Sequence, residues 1–286
     1  MTARWLVTGA AGMVGRDLVR ELEAHGEEVI ALSHAELDIT DNEQVVAAVR
    51  NARPSIIVNC AAYTKVDDAE TNENIANAIN ASAVEFLAHA ANETGALLVH
   101  LSTDFVFDGS KRTPYEVNDP VAPLSAYGRS KLLGEQAAAQ AQKHLIIRTA
   151  WLFGVHGPNF VEAMLNQIRK GTNPLRVVND QRGRPTYTPH LALAIIRLAR
   201  AAASSDVARG MVHYADEGEC TWFDFASAIV EEAGAATNVF PVTTAEFPRP
   251  AARPAYSVLS TERYTRLTGV TPESWREGLR EYLAVK

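Results

Sequence analysis

Thr8-Gly9-Ala10-Ala11-Gly12-Met13-Val14-Gly15 is the stretch on which the reading of the fold turns. It follows a short apolar run, Trp5 to Thr8, and opens a segment, Val14 to His25, that carries Val14, Leu18, Val19 and Leu22 at helical spacing. Three glycines between a strand and an amphipathic helix have a physical use. Gly9 permits a tight turn, Gly12 lets a pyrophosphate approach the backbone, and Gly15 lets helix and strand pack closely. The helix N-terminus adds unpaired N–H donors and a favourable dipole. The stretch therefore reads as a dinucleotide site, with Gly9, Gly12, Met13, Val14 and Gly15 expected at the cofactor.

Outward from the loop, strand-like and helix-like segments alternate. Gly26 ends the first helix, and Val29 to Leu32 reads as the second strand. A helix (Asn42 to Asn51), a strand (Ile56 to Asn59) and a long helix (Asn72 to Thr94) follow. Leu97 to Leu101, a helix from Ala126 to Gln142, and Leu145 to Arg148 complete the series. Strands apolar along their whole length, alternating with helices, imply a parallel sheet covered on both faces. This predicts an α/β doubly wound sheet of the Rossmann type over residues 1–150, with ligands beyond the carboxyl ends of its strands. After Trp151 the rhythm loosens, and nine of the 13 prolines fall there. Helical patterns persist at Pro189 to Ala203, Trp222 to Ala233 and Glu273 to Leu283. Residues 151–286 are expected to form a smaller α/β substrate domain, with segments that cross between the two.

Composition narrows the class. The 286 residues are 47% hydrophobic and 21% charged, which excludes disordered, collagenous and coiled-coil chains. A net charge of -7 argues against a nucleic-acid partner, since phosphate-backbone binding needs clustered positive charge. Cys60 and Cys220 lack metal-ligand spacing and suit a reducing compartment. No apolar run reaches about 18 residues, and the start lacks the pattern of a signal peptide. The expectation is a cytoplasmic protein with no membrane partner.

A reaction centre is legible downstream. Tyr127 and Lys131 lie four apart, hence on one helical face. A nearby ammonium, with the positive ring of a nicotinamide, is expected to lower the tyrosine pKa and make Tyr127 a usable general acid. Thr103, at a strand's carboxyl end, offers a hydroxyl to a carbonyl oxygen, though a hydroxyl there also serves as a cap. Glycine loop, Thr103, Tyr127 and Lys131 together point to an oxidoreductase.

The glycine spacing and these residues resemble the extended short-chain dehydrogenase/reductase superfamily. The resemblance puts Asp38-Ile39 beside the adenine, the alternative for Asp38 being a helix-terminal or turn carboxylate. It likens Ala61-Ala62-Tyr63-Thr64 to the cofactor loop after the next strand, and Asn80 to a helix asparagine that supports the lysine. A buried amide bonded to backbone is the alternative for Asn80. The second strand ends Leu32-Ser33-His34, with neither acid nor arginine. These small polar residues leave room for a 2′-phosphate, with Arg16 the candidate to meet it. NADPH is the expected cofactor, with NADH also accepted. Within the superfamily the strings Ser102 to Gly109, Pro123 to Gly128, Arg148 to Gly154, Val178 to Tyr187 and Arg253 to Leu259 resemble the dTDP-4-dehydrorhamnose reductase family. That family implies reduction of the 4-keto group of a dTDP-sugar, with Thr103, Asp104, Tyr127 and Trp151 facing the sugar. Trp151 also suits a domain-interface core. Arg253, ahead of Arg182 and Arg184, is expected at the diphosphate.

Some members of this family dimerise around Mg²⁺ through glutamates. Here the first helix carries Arg16-Asp17, and Thr188-Pro189-His190-Leu191 has no glutamate. No required metal is expected, and a monomer or at most a weak dimer. Two other readings share the motifs: a non-catalytic subunit resembling the regulatory subunit of methionine adenosyltransferase, and a nucleotide-sugar epimerase or dehydratase. A dehydratase commonly has Asp-Glu after its active-site Thr, whereas Thr103 is followed by Asp104-Phe105.

Overall fold

The computed structural model describes residues 3–286, so the first two residues of the expected 1–150 unit lie outside the described residues. Five strands, β1 (Arg4–Thr8), β2 (Glu28–Leu32), β3 (Ile56–Asn59), β4 (Leu97–Thr103) and β5 (His144–Thr149), alternate with helices. The helices are α1 (Met13–Ala24), α2 (Asn42–Ala52), α3 (Glu73–Asn77), α4 (Ala83–Thr94) and α5 (Ala126–Ala138). β3 reads Ile-Ile-Val-Asn and is buried at every position, as a strand covered on both faces must be. α2 starts where the Asp41 carboxylate accepts the Gln44 N–H.

The second half contributes β6 (Leu152–Phe153), α6 (Phe160–Arg169), β7 (Leu175–Val178), β8 (Arg182–Gly183) and β9 (Thr186–Tyr187). Then come α7 (Thr188–Ser204), β10 (Gly210–His213), β11 (Cys220–Thr221) and α8 (Trp222–Glu232). β12 (Val239–Val242), α9 (Glu262–Thr268) and α10 (Trp275–Ala284) complete the order.

The main sheet runs β10-β5-β4-β3-β1-β2, and each neighbouring pair is parallel. The chain steps from β1 outward to β2, then crosses to β3 on the other side. Strand order thus reverses between β1 and β3, and a crevice opens beyond their carboxyl ends. Alternate residues of the strands feed two cores. Trp5 and Val7 join Leu18 and Leu22 of α1 and Leu191, Ile195 and Leu198 of α7 on one face. Leu6, Ile57 and Leu98 meet Val45, Val49, Leu87 and Ala138 on the other. This is the expected doubly wound sheet. A third cluster, around Phe153, Phe225, Trp275 and Leu279, holds the smaller layer together.

β10 and α7, from beyond residue 151, join the main sheet as its edge strand and a covering helix. One feature departs from the sequence reading. The long helix expected at Asn72 to Thr94 is interrupted by a π turn, Ala78–Ser82, between α3 and α4. Such a turn re-aims one side chain, here the buried Asn80. Among the described residues no helix is long and apolar enough to cross a membrane.

Candidate active site

Gly9 adopts a φ of +65°, the left-handed region, and a Cβ there would lie 2.6 Å from the Ala61 nitrogen. A Cβ on Gly15 would lie 2.3 Å from the Gly9 carbonyl oxygen. Backbone therefore approaches backbone at both places, and side chains are excluded. The Gly12 N–H donates to the Gly9 carbonyl at 2.9 Å and closes the turn. Gly12 also caps α1 without any side chain on the first-turn N–H groups, which leaves those donors for an anion.

A cavity of about 650 Å³ opens at this crevice, lined by Gly9, Gly12, Asp38, Ile39, Ala62 and Cys60 among others. The Asp38 carboxylate accepts the Thr40 hydroxyl at 2.7 Å and its N–H at 2.9 Å, which holds it below the usual range. Of the expected cofactor residues, Met13, Val14, Gly15, Ser33, Tyr63, Thr64, Tyr127 and Lys131 do not line this cavity. Val14 is buried in the core beneath α1, and Met13 packs toward Gly154 and Gly157. Ser33 gives its N–H and its hydroxyl to Glu36 at 2.8 and 2.7 Å. The Tyr63 hydroxyl donates to Asp68, and Thr64 is exposed. Arg16 folds back onto the loop and donates to the Ala11 carbonyl at 3.0 Å.

α5 begins where the Ser125 hydroxyl accepts the Gly128 N–H at 3.1 Å. It lies close on its neighbours, since a Cβ on Gly128 would meet the Phe105 carbonyl oxygen at 2.4 Å. A Cβ on Gly134 would meet that of Asn80 at 2.0 Å. The face carrying Tyr127 and Lys131 meets the end of β4. There the buried Thr103 donates its hydroxyl proton to Asp104 Oδ1 at 3.0 Å and accepts the Phe105 N–H at 3.2 Å. Asp104 is 1% exposed and its Oδ2 has no partner. Burial pushes its carboxyl up to about 6, against the nearby Ser257 and Thr103 hydroxyls.

Tyr127 corrects one expectation. Burial pushes its phenol up to about 12, the Thr103 hydroxyl opposing and the Asp104 charge adding to the rise. Lys131 does not lower it, because a buried ammonium must find an acceptor and takes the Leu101 carbonyl, at 2.6 Å from Nζ. Burial brings Lys131 itself down to about 8. Asn80 does not reach Lys131 either. Its amide oxygen accepts the Tyr63 N–H at 2.8 Å, and its NH₂ donates to the Tyr63 carbonyl and to Ser130 Oγ.

A second cavity, of about 400 Å³, is lined by Phe105, Trp151, Trp222, Phe247, Arg249 and Arg253 among others. Trp151 holds a left-handed φ of +47°, rare for so large a side chain. Its indole stacks on Trp222 with centroids 3.5 Å apart and planes 5° from parallel. Behind it a Cβ on Gly183 would come within 2.5 Å of the ring. Trp151 is thus both cavity wall and packed core. Arg253 donates to the Ala251 carbonyl at 2.8 Å and pairs with Asp67 at 3.0 Å, and Arg249 approaches Asp67 at 3.5 Å. Arg182 pairs with Glu219 and Arg184 reaches Thr261, and neither lines this cavity. No local signal marks Trp222, Arg249 or the role of Asp67, since their partners are 71, 182 and 186 positions away.

Thr103, Tyr127 and Lys131 line neither cavity, but neighbours of theirs border each. Phe105 borders the second and meets the Tyr127 ring edge-on at 5.6 Å. Cys60 borders the first and faces Lys131.

Residues 3–286 match the family described as the RmlD substrate binding domain. A probable dTDP-4,6-dihydroxy-2-methyloxan-3-one 4-ketoreductase from Streptomyces antibioticus is 48% identical over 282 residues, covering 97% of this chain and 94% of that relative. A dTDP-4-dehydrorhamnose reductase from Streptomyces griseus is 42% identical over 282 residues, covering 97% and 92%. The crystal structure of a dTDP-4-dehydrorhamnose reductase from Bacillus anthracis in complex with NADP aligns over 100% of both chains, with a TM-score of 0.94 and 39% identity. Likeness at this level spans nearly the whole chain, and the chain belongs to the RmlD family, that of the dTDP-4-dehydrorhamnose reductases.

Proposed function

We propose that the protein reduces the C4 ketone of dTDP-4-dehydrorhamnose to dTDP-L-rhamnose, using NADPH and also accepting NADH. The observation that carries this reading is a pair of cavities, one bordered by Cys60 beside Lys131 and the other by Phe105 beside Tyr127. One has a side-chain-free glycine turn and open helix N–H groups, fit for a pyrophosphate. The other joins an indole wall to guanidinium groups, fit for a sugar diphosphate.

Bound in the first cavity, NADPH supplies a hydride to C4. Gly9, Gly12 and Gly15 and the Met13 and Val14 amides would hold its pyrophosphate, with Asp38, Ile39 and Ala62 toward the adenosine half. His34 at the cavity and Arg16 on the loop suit a 2′-phosphate, a place where Ser33 is already engaged by Glu36. Tyr127 and Thr103 hydrogen-bond the ketone oxygen. A phenol held up to about 12 is protonated throughout the neutral range, the form that reduction requires, and Tyr127 gives its proton to the nascent alkoxide. Lys131, anchored by the Leu101 carbonyl rather than spent on the phenol, is left to hold the nicotinamide ribose. Asp104 and Trp151 face the sugar, and Arg253 the diphosphate.

Enzyme, NADPH and the 4-keto nucleotide-sugar should give a product heavier by two hydrogens, with one NADPH consumed per product. An unchanged sugar mass, or an isomer formed with cofactor recycled, refutes the assignment. The Streptomyces antibioticus relative, named for another dTDP-4-ketosugar, favours that class as a second substrate, and competition between the two sugars in one assay ranks them. We further propose a cytoplasmic enzyme, monomeric or weakly dimeric, with no required metal. Sedimentation velocity and activity after EDTA treatment check the last two points.

A further inference from the structure

The functional face of α5 does not end at Lys131. Tyr127, Lys131 and Glu135 follow one another at single-turn spacing and meet the last three residues of β4. Tyr127 lies beside Thr103, Lys131 Nζ donates to the Leu101 carbonyl, and Ser102 Oγ donates to Glu135 Oε1 at 2.6 Å. Arg148, the register partner of Ser102 on β5, grips the same carboxylate with two bonds of 2.7 Å. Glu135 and Arg148 are each 4% exposed. Behind them Arg148 Nη1 approaches His213 Nε2 at 3.4 Å, and the guanidinium lies 5.0 Å from the Phe107 ring centroid.

We propose that Glu135, clasped to Ser102 and Arg148, is a positioning residue that holds the Thr103 end of β4 and the Lys131 ammonium in register beneath Tyr127. The proposal rests on the reading of Thr103, Tyr127 and Lys131 as the reacting set. A buried ion pair that only joins a helix to a sheet contributes little net stability over an apolar pair. This one sits at the carboxyl end of the sheet, and its third partner is the residue before Thr103. The groups facing Lys131 can be named element by element. They are Tyr127 and Glu135 on α5, Cys60 after β3 and His100 on β4, with Arg148 of β5 behind Glu135. Burial raises the Cys60 thiol to about 12 and keeps His100 well below its ordinary value, so both are uncharged near neutrality. Glu135 is then the carboxylate that sustains the ammonium against burial.

Two variants separate positioning from mere support. Glu135→Gln keeps the shape and an acceptor for Ser102 but removes the charge. The alkaline limb of its kcat profile should move by about one unit toward acid, because Lys131 loses its proton earlier. Ser102→Ala leaves the ion pair in place, and should lower kcat about tenfold with KM for the nucleotide-sugar within about twofold of wild type, as a misplaced Thr103 predicts. Its charge is untouched, so it reports even if Glu135→Gln fails to fold. An unmoved alkaline limb in a folded Glu135→Gln, or wild-type kcat in Ser102→Ala, overturns the proposal. So does a loss equal at every pH in the first variant. Tyr127→Phe is measured alongside. If it turns over normally the catalytic reading itself fails, whereas a dead Tyr127→Phe with wild-type behaviour in the other two defeats the present inference alone.

Discussion

Tyr127 has the chemistry of an acid that its surroundings keep fully protonated. Its replacement by Phe retains the ring against Phe105 and removes only the proton and its hydrogen bonds. We expect kcat to fall by about 10²–10⁴ while NADPH affinity, read by fluorescence titration, stays near wild type. Asp104 has the opposite relation to stability. Its carboxyl rises from an ordinary 3.8 to about 6 in the fold, so between those values the folded chain binds a proton that the unfolded chain does not. Stability therefore falls as pH rises through that window and stays lowered above it. Asp104→Asn, neutral throughout, should be more stable than wild type at pH 7.5 by at most about 3 kcal/mol, and equal to it below pH 4. Calorimetric Tm values at the two pH values check this, and kcat should drop, a trade of stability for activity. The pairing of a phenol with an ammonium four residues on was legible in the sequence. The direction of the Tyr127 shift was not, because burial and the Leu101 carbonyl that diverts Lys131 come from the tertiary fold.

Among the elements, the segment around Ala251–Arg253 depends on a loop far away in the chain. Asp67, after β3, accepts the Ala251 N–H at 3.2 Å and pairs with Arg253 and Arg249. These bonds fix two guanidinium groups at the mouth of the second cavity. Asp67→Asn should raise KM for the nucleotide-sugar about tenfold and leave NADPH affinity unchanged, since it touches only the arginine side. Equal losses for both ligands would instead mean that the loop itself has collapsed. The strands and helices of the first half were readable because each has a local cause: an apolar run, a capping side chain or a stopping glycine. The π turn at Ala78–Ser82 has no such signal, as its extra residue serves the contact of Asn80 with Tyr63 and Ser130. Trp222 was seen only as the start of a helix. Its stacking on Trp151 is decided by where β6 and α8 meet.

For the whole molecule, the two halves share one sheet. β10 pairs with β5, and Leu191, Ile195 and Leu198 of α7 cover the face on which α1 lies. A fragment of residues 1–150 would expose both that face and the β5 edge. It should show no cooperative urea transition by circular dichroism, whereas the full chain should unfold with a clear one; a cooperative fragment would establish residues 1–150 as an independent domain. The amino-acid sequence by itself determined the glycine turn, the alternating parallel sheet and the residue types of a ketone-reducing centre, because each depends on neighbours within a few turns of chain. Only the tertiary structure decided that residues beyond 151 complete the sheet, that Trp151 leans on Trp222 and Gly183, and that Lys131 answers to Leu101 and Glu135. Those outcomes depend on burial and on partners brought together across the chain, quantities that do not exist until the chain has folded.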